Sequence, residues 1–409
     1  MTTTTIPARM EVGSRLRGSP WRRAALANLA GLRGGTLELE DGGVRHRLGE
    51  PGDLAAHVTV RDPRFWRRAA LGGSLGAGEA YADGDWDADD LTAVVRLLVR
   101  NAAAKEGLDG GLSLLRRPLD LAYALLRRNS RRGARRNIAE HYDLGNDFFT
   151  LMLDPTLTYS SAVWDRPGCT LEEAQVRKLD LLCTRLRLRP EDHLLEIGTG
   201  WGSLALHAAR RYGCRVTTTT LSAAQHALAS ERVRAAGLQD RITLLREDYR
   251  ELRGQYDKIV SCEMIEAIGA AQYPTFFAQC AALLAPGGVL ALQAITIADR
   301  AYDRARREVD FIKRHVFPGS CIPSITALTT AAARSDLVLR QLQDHGRDYA
   351  RTLAAWRENL AANRAAVERL TDERFRRLWH FYLCYCEGGF TEGHIGVAQL
   401  TFARPQWRA

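Results

Sequence analysis

The stretch "LLEIGTGWGSLALHAA", residues 194–209, decides the fold of this chain. An apolar run of strand length leads into three glycines, Gly198, Gly200 and Gly202, and then into a helix-like segment. Glycines placed in this way let the backbone approach a ligand closely and aim the first amides of the following helix at it. The spacing G-x-G-x-G departs from the dinucleotide pattern G-x-G-x-x-G, and the next strand runs into "TTTTLS" (217–222), where an NAD enzyme places an acid on the ribose. The loop therefore points to S-adenosylmethionine, with Glu196 just ahead of the glycines.

Outward from this loop the chain alternates strand and helix. Strands are expected at 193–197, 215–221, 242–247, 257–264 and 289–295, and this alternation predicts a parallel, doubly wound α/β sheet. A largely helical stretch is expected from Ile297 to about residue 385, broken by "FPGSCIPS", with "GVAQLTFARP" (396–405) as a last strand. Ahead of it, "GTLELEDG" and "HVTVRDPRFW" alternate like strands and "DLTAVVRLLVRNAAA" reads as a helix. We expect a small α+β domain over residues 1–135, including a basic linker, and a catalytic domain over 136–409.

Open parallel sheets bind ligands at the carboxyl ends of their strands. "TLSAAQ" (220–225), "EDY" (247–249), "CEMIEAIG" (262–269) and "QAITI" (293–297) all fall there. Glu266 lies in an apolar run, and a buried carboxylate needs partners, so it is a site candidate beside a plainer helix-capping or ion-pair role.

With 46% apolar and 26% charged residues in 409, the composition is globular. No run approaches a membrane span, "MTTTTIPARM" lacks the features of a signal peptide, and the cytoplasm is the expected compartment. The eight cysteines show no Cys-x-x-Cys spacing, so no metal site is expected. The net charge of +9 favours an anionic partner. Eight Arg and one Asp lie between Arg116 and Arg136, suited either to anionic headgroups or to a solvated linker. A nucleic-acid methyltransferase would carry an acidic or Asn-Pro-Pro-aromatic motif after the fourth strand, and "CEMIEAIG" is not one.

"HYDLGNDFFTLMLDPTLTYSSAVW", "LLEIGTGWGSLAL", "TLSAAQ", "SCEMIEAIG", "DFIKRHVFPGSCIPS", "DYARTLAAWREN" and "YLCYCEGGF", in order over about residues 137–405, resemble the cyclopropane-fatty-acyl-phospholipid synthases and mycolic acid cyclopropane synthases. "VRDPRFWRRAALGGSLGAGEAYADGDWDADDL" is similar to the amino-terminal domain of the phospholipid-acting branch. The resemblance implies a Rossmann-like class I methyltransferase fold with a helical insertion over the active site. It implies methylene transfer from S-adenosylmethionine to the cis double bond of an unsaturated phospholipid, giving a cyclopropane fatty acid. The carbocation formed on the way would be deprotonated by a bound bicarbonate ion. Peripheral contact with the inner membrane face follows; nucleic acid is not a partner, and a homodimer is one assembly open to the chain.

The resemblance also carries residues. Glu266 and Tyr349 match groups around the bicarbonate. Ser161 stands where many members have Cys and acts largely through its backbone amide; Gln293 stands where many have His, and both can bond an anion. His141 closes the site together with Tyr142. Cys386 matches a cysteine sometimes held catalytic, although alkene methylation needs no thiolate and packing explains it as well. For the cofactor, Tyr159 and Ser160 fall at the methionine end and Gly198 and Gly200 beneath it. Thr220, Leu221 and Gln225 fall around the ribose, and Asp248 and Tyr249 near the adenine. Thr199 and Ala267 replace a usual Cys and His without removing a needed group.

Overall fold

The computed structural model describes residues 19–102, 123, 127, 133 and 145–408. His141, Tyr142 and most of the arginine-rich stretch lie outside them. The chain divides into two compact units.

The first unit comprises Met1–Leu119, Asp310–Arg314 and Ala365–Glu392. Its sheet has the order β2-β1-β3-β4, from β1 (Gly35–Asp41), β2 (Val44–Glu50), β3 (Leu54–Val60) and β4 (Trp86–Ala88). Gly42 and Gly43, at φ 59° and 82°, close the β1–β2 hairpin, as its two-residue turn requires. "RDPRFW" leaves the strand expected there: Val60 ends β3, and Arg64–Ala82 is helical with a break at Gly73. Two arginines, Arg64 and Arg68, bind the 1%-exposed side chain of Asp85, a buried carboxylate that would otherwise be costly.

The second unit comprises Asp120–Val309, His315–Arg364 and Gly393–Ala409. Seven strands form one sheet of order β10-β11-β9-β8-β5-β6-β7. They are β5 (His193–Ile197), β6 (Arg215–Thr219), β7 (Ile242–Leu245), β8 (Tyr256–Cys262), β9 (Leu284–Ile297), β10 (Val338–Asp344) and β11 (Ile395–Ala403). β5 to β9 run parallel, and β11 is antiparallel to both β9 and β10. This is the doubly wound sheet read from the sequence, with the last strand where it was expected. β10 is a correction, since it lies in the stretch read as helical; its pairing with β11 outweighs a weak local strand signal.

Period-two alternation places the two cores. Leu195, Ile197, Leu290 and Leu292 pack on one face, while Leu194, Val216, Val289 and Ala291 pack on the other. From β5 the chain steps outward to β6 and β7, then returns to β8 on the opposite side. The crevice at the carboxyl ends of β5 and β8 is therefore the switch point where such sheets take ligands.

Candidate active site

The glycine loop follows β5. Gly198, Gly200 and Gly202 have φ of 105°, 53° and 87°, values that favour glycine. A Cβ on Gly200 would meet nothing within 4 Å, so the loop leaves open space at the crevice. Its amides are anchored from below: Gly198 and Thr199 N–H both donate to the Thr219 carbonyl. Trp201 donates to Asn146 Oδ1 at 2.8 Å and packs its ring 5.0 Å from Phe149. Glu196 is buried and accepts from the Thr218 hydroxyl at 2.6 Å. Burial pushes its carboxyl up to about 8, so it is largely neutral near pH 7.

The remaining expected cofactor residues line the same edge. Thr220 donates to Gln225 Oε1 at 2.9 Å, and Ser222 caps the helix Ala223–Ala235 that carries Gln225. Leu221 sits in the turn between them. The Asp248 carboxylate is paired with the Arg250 guanidinium at 2.6 Å. Tyr249 points into the apolar core against Phe276, its hydroxyl buried without a partner. Of these, the Tyr249 ring faces the core and not the strand-end crevice, because it packs within the apolar cluster.

"TYSSAV" crosses the mouth of the crevice. Tyr159 joins an aromatic wall, with centroids 5.2 Å from Phe149, 5.2 Å from Trp356 and 6.3 Å from Phe317. Ser160 is held from the helix Leu171–Leu186, which a Thr170–Glu173 capping box starts. Gln175 and Lys178, on one face of that helix, donate to the Ser160 carbonyl at 2.8 Å and to its hydroxyl at 2.7 Å. Lys178 is 1% exposed, and its charge acts on Glu196 and on Glu263.

Ser161, Gln293 and Tyr349 do come together, and they meet on Glu263. Glu263 Oε1 accepts from the Ser161 amide at 2.9 Å and from Gln293 Nε2 at 2.7 Å; its Oε2 accepts from the Tyr349 hydroxyl at 2.8 Å. The Ser161 hydroxyl turns away to the Ala162 carbonyl. A chain of side chains sets the Gln293 amide: Arg185 donates to Gln399 Oε1 at 2.7 Å, and Gln399 Nε2 donates to Gln293 Oε1 at 2.9 Å. Gln293 then has only N–H groups to offer Glu263 and the Ser161 carbonyl.

Glu263 follows β8 with φ at 49°, in the left-handed region, a conformation that costs a non-glycine residue on the order of 1–3 kcal/mol. Burial pushes its carboxyl up, while Gln293, the Ser161 amide, the Lys178 charge and Tyr349 pull it back down. Glu266 is the second acid, one helical turn on. One oxygen accepts from the Ile295 amide; the other, Oε2, is buried with no partner. Burial first, and the neighbouring Glu263 charge second, push the Glu266 carboxyl up to about 8. Two acids with unlike environments thus lie side by side, Glu263 among three donors and Glu266 with one oxygen bonded and the other bare.

Glu263 and Lys178 were missed in the sequence. Glu263 stood in the quoted motif, at a strand end where such sheets hold ligands, and that was the available signal. Nothing in the sequence marks Lys178 beyond its place in an otherwise amphipathic helix. Cys386 belongs to the first unit, on the helix Glu373–Thr391, and burial pushes its thiol up, away from thiolate character. Among the described residues no group of acids, His and Cys could hold a metal, and no helix is long and apolar enough to cross a membrane.

The family model described as mycolic acid cyclopropane synthetase matches residues 129–400. The chain is 39% identical to tuberculostearic acid methyltransferase UfaA1 of Mycobacterium tuberculosis, over 83% of this chain and 81% of that one. It is 37% identical to the cyclopropane-fatty-acyl-phospholipid synthase of Escherichia coli, over 86% and 89%. The crystal structure of mycolic acid cyclopropane synthase CmaA1 complexed with SAH and CTAB superposes with a TM-score of 0.63 at 33% identity, covering 66% of this chain and 98% of that one. A family model that spans well over half of the chain, and relatives more than 30% identical over most of their own length, settle the membership: the chain belongs to the mycolic acid cyclopropane synthetase family of S-adenosylmethionine-dependent lipid methyltransferases.

Proposed function

We propose that this enzyme adds a one-carbon unit to the cis double bond of an unsaturated acyl chain in a membrane phospholipid, giving a cyclopropane ring. The observation that carries this reading is a carboxylate, Glu263, set among neutral donors beside an aromatic wall at the cofactor edge. S-adenosylmethionine, when bound, supplies an electrophilic methyl that an unactivated alkene can attack. Gly198 and Gly200 leave room for it, and Tyr159 with Ser160 borders its methionine end. Thr220, Leu221 and Gln225 serve the ribose, and Asp248 and the backbone of Tyr249 the adenine; His141, also expected at the site, lies outside the described residues.

Attack by the alkene leaves a carbocation on the acyl chain. The aromatic wall of Tyr159, Phe149, Trp201 and Trp356 would exclude water that would quench it. Bicarbonate, the expected proton acceptor, would need the Ser161 amide, Gln293 and Tyr349, which Glu263 already engages; the residues present do not fit it. The arginines between Arg116 and Arg136 supply contact with anionic headgroups, placing the protein against a membrane face.

The similarity to tuberculostearic acid methyltransferase UfaA1 favours a second reading, in which the same cation discharges to a methylene- or methyl-branched chain. Methyl-labelled S-adenosylmethionine and vesicles of defined monounsaturated phospholipids test both. Label in the lipid with high-field ring protons in its NMR spectrum supports the first, and vinylic protons without ring signals support the second. No transferred label would leave only a lipid-binding role.

A further inference from the structure

We propose that Glu263 is the catalytic base of this enzyme, its own carboxylate standing where the resemblance places a bicarbonate ion and taking the proton that the methylated acyl chain must lose. The inference rests on the proposed methyl transfer and deepens it.

The three donors that a bound anion would have used converge on one side chain, at 2.9, 2.7 and 2.8 Å. They occupy three of the roughly four lone-pair sites of a carboxylate, which leaves one on Oε2, the oxygen that among the described residues only Tyr349 engages. The arrangement is built rather than incidental. The Arg185–Gln399–Gln293 chain fixes the amide so that it can only donate, and the Glu263 amide is bonded to the Gln293 carbonyl at 2.8 Å. The left-handed backbone at Glu263 is the kind of strain that persists where surrounding contacts hold a functional side chain.

The charged and titratable groups around Glu263, among the described residues, are Lys178, Cys262, Glu266 and Tyr349. Lys178 favours the ionised carboxylate, and a neutral Glu266 does not oppose it. Burial pushes the Glu263 carboxyl up, which strengthens the carboxylate as a base.

The step balances. The alkene π pair forms the new C–C bond, the S–CH3 bond breaks with its pair going to sulfur, and the other alkene carbon becomes cationic. A C–H bond of the transferred methyl then breaks; its pair closes the ring onto that carbon, and its proton goes to Glu263. For a branched product the lost C–H pair forms a new double bond, with the proton going to the same carboxylate.

Initial rates of label transfer, in buffer purged of carbon dioxide with and without added bicarbonate, test this. Wild type should run at one rate in both. E263Q should fall by about a hundredfold or more while S-adenosylmethionine binding stays within about threefold. E263G suits the left-handed backbone and opens an anion-sized space before the same donors. It should be as slow as E263Q in purged buffer and speed up at least about tenfold with bicarbonate or formate. Wild-type dependence on bicarbonate, a near-normal rate in E263Q, or no anion rescue of E263G would each overturn the proposal. A silent wild type would instead overturn the methyl-transfer reading beneath it.

Discussion

The Tyr349 hydroxyl donates to Glu263 Oε2 at 2.8 Å, joining the first turn of the helix Gly346–Ala362 to the end of a central strand 86 residues earlier. Thr352, on the same helix face, sets that distance: its hydroxyl oxygen accepts from the Ala162 amide and the Trp164 indole, both at 3.1 Å. The helix therefore positions the segment carrying Ser161 and the hydroxyl of Tyr349 together.

Tyr349→Phe removes one of three donors to the Glu263 carboxylate and keeps the ring against Trp356. A charge-assisted hydrogen bond contributes about 1.5–3 kcal/mol, so we expect kcat to fall by roughly tenfold to a hundredfold with little change in S-adenosylmethionine affinity. Label-transfer kinetics beside calorimetric binding check this; an unchanged kcat would remove Tyr349 from the chemistry.

Ser161→Cys should leave rate and product within about threefold, because the backbone amide of residue 161 contacts Glu263 while the side chain bonds the neighbouring carbonyl. Product NMR with the variant is the measurement. A switch between cyclopropane and branched product would mean that the side chain reaches the substrate.

Lys178→Met keeps the volume of a buried side chain and removes the positive charge that lowers the Glu263 carboxyl. If an ionised Glu263 is required, the acid limb of the pH–rate profile should move to higher pH. An acid limb that stays in place would show that another group sets it.

Burial holds the Glu266 and Glu196 carboxyls at about 8, above their ordinary 4.5. Between those values the folded chain keeps protons that the unfolded chain has released, so these groups make stability fall as pH rises from 4.5 to about 8. Glu266→Gln carries no such proton and should flatten that slope, read as urea midpoints across the range. Because Gln resembles a neutral acid, its turnover should drop less than that of Glu263→Gln.

Replacing the arginines from Arg127 to Arg136 with glutamine should weaken binding to anionic vesicles, with the difference shrinking at high salt as charges are screened. Co-sedimentation at two ionic strengths measures it. Equal binding by both proteins would make the stretch a linker.

Much of this was legible in the sequence because its signals are local. The apolar periods of β5 to β9 and the positive-φ glycines after β5 are properties of short segments, and they dictate a doubly wound sheet with its ligand edge at Gly198 and Gly200. β10 was not legible, since a strand with six of seven residues exposed is made by its partner β11 rather than by its own pattern.

The acid cluster divides in the same way. The sequence by itself determined the family, the cofactor loop and the presence of Ser161, Glu266, Gln293 and Tyr349 at one edge. Only the tertiary structure decided which acid they serve. Glu263 and Glu266 are three residues apart in one motif, and a left-handed turn at Glu263 sends its carboxylate to the three donors while Glu266 remains an acid with one oxygen unsatisfied. That choice depends on long-range partners, Tyr349 and Gln399 among them, whose distances to this turn no local pattern encodes.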